Sequence, residues 1–192
     1  MAILVVGGST KDIGKTALVC AIISALRDFD WTAVKITALD HIGDSVDEVS
    51  AGAVIREETT AGSETDTSRY LAAGARRALL VMRSGAEVPV EEIRRAVGAD
   101  RNVIYESNRI VDAIEPDVCL ALVADPIVEW KPSFVRFLRR ADALVSFGFP
   151  EIEAANLRTE IPRFALQSKE RLTPEMVDWL RSRLNRSQMR NK

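Results

Sequence analysis

Gly14-Lys15-Thr16 places an ammonium and a hydroxyl side by side at the end of a glycine-containing loop. Those two groups suit the binding of a polyphosphate. The residues before them, Gly8, Ser9, Thr10, Lys11, Asp12 and Ile13, can turn backbone N–H groups onto anionic oxygens. Gly14 has no Cβ to hold a ligand away from the main chain. Lys15 can set its charge on β- and γ-phosphate oxygens, and the Thr16 hydroxyl can ligate Mg²⁺, with Ala17 continuing the same turn. The spacing departs from G-x-x-x-x-G-K-[ST] at one position. Its first residue falls on Ser9, and the nearest glycine, Gly8, comes one residue earlier, so the loop is one residue longer.

Chemistry of this kind needs a strand before the loop and a helix after it. Ala2 to Val6 is an apolar run without alternation, as expected of a strand buried on both faces. From Lys15 onward Leu18, Ile22 and Leu26 form a helical stripe that Val19, Ile23 and Ala25 widen. Thr32 to Ile36 reads as a second strand with Lys35 near its end. That lysine either snorkels at the sheet edge or points into the crevice above the strand ends, where open α/β sheets bind ligands. Asn102 to Tyr105 is another strand, ending on Glu106. A carboxylate there is placed to hold Mg²⁺ opposite the Thr16 hydroxyl.

Further strands are expected at 78–82, 118–124, 143–147 and 163–167, and further helices from Asp66, Val90, Pro132 and Thr173. Asp66 or Thr67 is placed to cap the first of these, and Thr173-Pro174-Glu175 is a well-formed start for the last. From Arg181 onward the chain has five basic residues and no acid, which suggests a frayed tail. Residues 37–67 are the least regular part. They carry eight acidic residues, the lone His41 and glycines at 43, 52 and 62, and read as a mobile acidic loop. The alternation of strands and helices predicts an α/β fold, a mostly parallel sheet with helices on both faces, within a single domain spanning 1–192.

Composition narrows the function. The net charge of −2 gives no electrostatic footprint for nucleic acid. No apolar run reaches the length of a membrane span, and no basic region precedes the first strand, so neither a membrane nor an export signal is expected. Cys20 and Cys119 are too isolated for a metal site or a disulfide framework, which fits a cytoplasmic protein.

Two stretches carry a family resemblance. Asp66-Thr-Ser-Arg-Tyr-Leu-Ala-Ala-Gly-Ala75, together with Val34-Lys35 and the following Asp40-His41, resembles the molybdopterin-guanine dinucleotide biosynthesis adaptor (MobB-like) family of P-loop NTPases. The loop from Gly8 to Thr16 is similar in length and style to that of dethiobiotin synthetase. The resemblance spans about residues 2 to 125. It implies a P-loop NTPase fold that binds GTP or ATP with Mg²⁺. Lys15 and Thr16 would then meet the phosphates, Lys35 the γ-phosphate or the substrate, and Thr16, Asp66 and Glu106 the metal. Asp125 ends the next strand in the same constellation. The adaptor relatives imply weak NTPase activity, a molybdenum-cofactor biosynthesis protein as partner, and a homodimer. The synthetase relatives imply an ATP-dependent small-molecule ligase or kinase. Two departures stand out: Ser107-Asn108 follows Glu106 where a glycine is usual, and Ser146-Phe147 lacks the asparagine that often reads the base.

Overall fold

The apolar runs and helical stripes assemble around one twisted sheet in a computed structural model, which describes residues 1–38, 53–85, 87–100, 102–123, 130–147 and 161–190. The strands are β1 (Ala2–Gly8), β2 (Thr32–Ala38), β3 (Ala53–Glu57), β4 (Arg77–Arg83), β5 (Asn102–Glu106), β6 (Val118–Leu122), β7 (Ala143–Phe147) and β8 (Arg163–Leu166). The helices are α1 (Lys15–Ala25), α2 (Asp66–Ala73), α3 (Val90–Val97), α4 (Pro132–Leu138) and α5 (Pro174–Arg190). The eight strands lie in the order β3-β4-β2-β5-β1-β6-β7-β8, and every pair is parallel except β3 with β4.

The even positions of β1 face one layer and the odd positions the other, as the two-residue period of a strand requires. Leu4 and Val6 pack with α1, α2 and α5 through Leu18, Ile22, Tyr70 and Leu180. Val5 packs with α3 and α4 through Ile93, Phe134 and Phe137. Both faces of β1 are therefore covered, which accounts for its unbroken apolar sequence. Helix α1 has no polar face for the same reason: Leu18, Val19, Ile22 and Ile23 are all shut off from solvent. Phe29 and Trp31 stack at 5.3 Å beneath it, and the Trp31 indole donates to the carbonyl of Leu26 at 2.9 Å.

The structure corrects three local expectations. Residues 53–57, within the segment read as an irregular acidic loop, form β3, an edge strand paired antiparallel with β4. The cap of α2 is neither Asp66 nor Thr67 but Thr65, whose hydroxyl accepts from the Ser68 N–H while the Ser68 hydroxyl accepts from the Thr65 N–H. The basic stretch from Arg181, expected to fray, is helical as far as Arg190. Leu184 is buried against the core, and Arg181 pairs with Asp28, at 3.0 Å for one of its two contacts. Thr173 caps α5 as expected, its hydroxyl accepting from the Met176 N–H at 3.3 Å. Asp40, His41 and Asp125 lie outside the described residues.

Candidate functional site

The parallel strands all point their C-terminal ends the same way, so the residues closing β1, β2 and β5 meet at one edge of the sheet. Register brings them level: Val6 of β1 pairs with Glu106, and Lys35 of β2 pairs with the same Glu106 on its other side. Thr16 comes down to this edge on the first turn of α1, and Asp66 on the first turn of α2.

The loop between β1 and α1 is held at several points. The Ser9 N–H donates to the carbonyl of Leu122 in β6 at 3.0 Å. Asn108 clasps Gly8 from β5, accepting from its N–H at 2.7 Å and donating to its carbonyl at 2.9 Å. Gly14 takes φ = 110°, a left-handed conformation that suits glycine, and a Cβ there would come within 2.8 Å of the Phe147 ring. The Lys15 ammonium folds back onto the Thr10 carbonyl at 3.1 Å. The loop is thus pinned at Gly8 and Ser9 and closed on itself between Lys15 and Thr10.

At the centre of the edge four side chains converge. The Lys35 ammonium lies 2.6 Å from Asp66 Oδ2, 2.6 Å from Glu106 Oε1 and 3.4 Å from Thr16 Oγ1. Thr16 Oγ1 donates to Glu106 Oε2 at 2.8 Å, and the buried Tyr70 hydroxyl donates to that same oxygen. Glu106 is only 3% exposed. Burial alone would depress the Lys35 pKa, but Glu106 and Asp66 outweigh it and hold the ammonium above the usual lysine range. Burial would likewise raise Asp66, yet Lys35, helped by Thr16 and Arg69, keeps its carboxyl below the usual range. Lys15 is shifted the other way. Burial lowers its pKa, and Lys35 and Lys131 add to the effect against Glu106 and Asp12. Burial and the charge of Glu106 push the Tyr70 phenol well above its ordinary value, so it stays a donor.

This donor set suits a cation. Two carboxylates and a hydroxyl already surround one, the ammonium of Lys35. No group of three or more His, Cys, Asp or Glu side chains assembles among the described residues. A divalent ion here would therefore take only part of its shell from protein, as Mg²⁺ does beside phosphates.

A cleft of about 660 Å³ opens above the strand ends. Among the described residues its walls carry eight cations, Lys11, Lys15, Lys35, Arg69, Arg83, Arg109, Lys131 and Lys169, against three acids, Asp12, Asp66 and Glu106. In a chain of net charge −2 that concentration of positive charge is local, and a cleft of one sign focuses its field on anions. Lys169 also sits over the Phe147 ring, 5.7 Å from its centroid.

Of the residues singled out from sequence, Gly8, Thr10, Lys11, Asp12, Gly14, Lys15, Thr16, Ala17, Lys35, Asp66 and Glu106 all line this cleft. Ser9 is buried beneath it, and Ile13 packs toward the α1 core. Of the two readings of Lys35, the structure takes the crevice over the sheet edge. Sequence reasoning missed Tyr70, Arg69, Arg83, Arg109 and Lys131. It read Asn108 only as a departure, whereas that residue clasps the loop.

Strand, loop and helix in this arrangement, inside a mostly parallel sheet covered on both faces, define the P-loop NTPase fold. Solved structures with a similar fold include the following two. The chain matches a MobB protein homolog from Bacillus stearothermophilus with a TM-score of 0.50 and 15% identity, over 96% of this chain and 99% of that one. It matches LpxK from Aquifex aeolicus, solved in complex with ATP, with a TM-score of 0.50 and 19% identity, over 86% of this chain. The chain spans about half of the LpxK chain, 53% of its length. No protein-family model matches, and no curated protein sequence does. Among the described residues no helix is long and apolar enough to cross a membrane.

Proposed function

We propose that this chain binds a nucleoside triphosphate, GTP or ATP, with Mg²⁺, hydrolyses it slowly, and serves as a MobB-like adaptor in attaching a nucleotide to the molybdenum cofactor. The observation that carries the reading is the meeting of Lys35, Thr16, Asp66 and Glu106 beside the loop. Backbone amides between Thr10 and Ala17 and the Lys15 ammonium would take the phosphates, the Gly8 and Ser9 N–H groups expected to join them being held instead by Asn108 and the Leu122 carbonyl. Thr16, Asp66 and Glu106 would hold Mg²⁺, which when bound supplies positive charge to the phosphate oxygens. Lys35 would turn to the terminal phosphate. Slow turnover is supported by the cleft wall, whose described residues include no glutamine or histidine to orient a water. A cytoplasmic setting is supported by Cys20 and Cys119, both free thiols, which burial pushes up to about 11 and about 12.

A second reading, an ATP-dependent small-molecule synthetase or kinase, is favoured by the breadth of the cleft. It runs past the loop to Thr37 and Ala38 of β2 and to Arg83 of β4. Melting temperatures with ATP, GTP and CTP, each with and without Mg²⁺, test the reading. A nucleotide at 100 times its Kd adds about 2.7 kcal/mol, a rise of roughly 5–10 °C for a chain this long. A GTP-selective rise that needs Mg²⁺ supports the adaptor, and an ATP-selective rise supports the synthetase. No rise with any nucleotide refutes both.

A further inference from the structure

The positive charge of the cleft does not stop where a polyphosphate would. Under the nucleotide reading, a phosphate chain on the loop would reach as far as Lys35, on β2. Arg83 lies farther out. It closes β4, where it pairs with Ala38 of β2, and the order β4-β2-β5-β1 places its strand three spacings from the loop strand. At about 4.8 Å each, that is about 14 Å across the sheet. Arg69 stands on the same side, one turn past Asp66 on α2 and 3.7 Å from its carboxylate. Both residues line the cleft that holds Lys15 and Thr16, the Arg83 guanidinium also donating to the Gly85 carbonyl. Arginine is suited to such a place, because its planar fork meets a carboxylate or phosphate through two parallel hydrogen bonds.

Building on the nucleotide reading above, we infer that the cleft takes a second, anionic ligand: a small molecule bearing a phosphate or carboxylate, with that group at Arg83 and Arg69 and its body toward the terminal phosphate of the nucleotide. The loop cations serve one ligand and the arginines of the far wall serve the other. The cleft volume of about 660 Å³ falls within the range that houses small-molecule ligands. The second ligand adjoins the end of the nucleotide at which a phosphoryl group would be transferred or a bond to phosphate made. The inference therefore assigns the chain a second ligand that itself carries negative charge.

The test begins with the protein saturated with Mg²⁺ and its nucleotide, so that the loop is filled. Inorganic phosphate and succinate are then titrated separately, with melting temperature as the readout. At ten times its Kd the bound anion is expected to raise the melting temperature by about 3–6 °C. Arg83→Gln should leave nucleotide affinity within twofold and weaken the anion at least tenfold. Arg83→Lys should recover part of that loss, which a disrupted strand end would not. The arm that responds tells phosphate from carboxylate. If the nucleotide binds but neither anion does, or if Arg83→Gln leaves anion affinity unchanged, the inference is overturned and the nucleotide reading stands. If the wild-type chain binds no nucleotide, both fall.

Discussion

Replacing Lys35 with alanine removes the ammonium that lies 2.6 Å from Glu106, a carboxylate only 3% exposed. Removing one partner of a buried ion pair costs about 3–5 kcal/mol, because the remaining charge stays desolvated. Glu106 keeps two donors, the Thr16 hydroxyl at 2.8 Å and the Tyr70 hydroxyl, which puts the expected loss near the lower end, at about 3 kcal/mol. For a chain of this length that is a fall of roughly 6–12 °C in melting temperature. The variant also leaves the oxygens of Asp66, Glu106 and Thr16 facing one another without a cation. Mg²⁺ or Mn²⁺ added without nucleotide should then restore part of the stability, about 1.4 kcal/mol at ten times its Kd. The wild type, whose ammonium already holds that position, should gain little. Thermal melts of both proteins, first in EDTA and then across a metal titration, read this directly. A variant as stable as wild type in EDTA, or one indifferent to metal, would refute the reasoning that these three side chains form a cation site.

Lys15→Ala should abolish nucleotide binding and leave the melting temperature within about 2 °C of wild type, since Lys15 opens α1 and its ammonium bonds only to the Thr10 carbonyl among the hydrogen bonds described. Unchanged ATP and GTP affinity in a titration would remove Lys15 from the site. Nucleotide affinity should also decline with rising pH earlier than an ordinary lysine near 10.4 would dictate. Burial lowers the Lys15 pKa, only the protonated ammonium attracts phosphate, and affinity is lost as pH rises through that lowered value. A Kd that stays flat from pH 7.5 to 10 would contradict this. Glu106→Gln should weaken the Mg²⁺ dependence of binding more than the binding itself, and an unaltered Mg²⁺ titration would exclude Glu106.

The parts of the fold legible in the sequence are those that local pattern determines. The unbroken apolar run of β1 and the all-round apolar α1 state their burial on both sides, and the Gly14-Lys15-Thr16 spacing places the loop between them. Lys35 and Glu106 were legible as charges that end apolar strands, although for Lys35 a snorkelling side chain fitted the sequence equally well. The strand β3 was not, since Ala53–Glu57 is half exposed on one edge and becomes a strand only through pairing with β4. Tyr70 gave no signal either. Its hydroxyl reaches a carboxylate 36 positions away, and nothing on α2 distinguishes it from an ordinary core aromatic. Arg83 is likewise a plain strand-end arginine until the strand order sets it on the wall of the cleft. The extent of α5 escaped notice because its second half is held by tertiary contacts, Leu184 in the core and Gln188 donating to Asn102, rather than by helix propensity.

The strand that carries the loop is flanked by β5 and β6, which begin about 100 residues later in the chain. Both anchors of the loop, Asn108 and the Leu122 carbonyl, come from that later half. On a ribosome moving at about 5–20 residues per second, β1 therefore waits roughly 5–20 s for its neighbours. During that interval an apolar strand with two unpaired edges is exposed, a condition that favours chaperone capture or aggregation. The site is thus among the last parts of the first 122 residues to form, and its ligands cannot assist the steps that precede it.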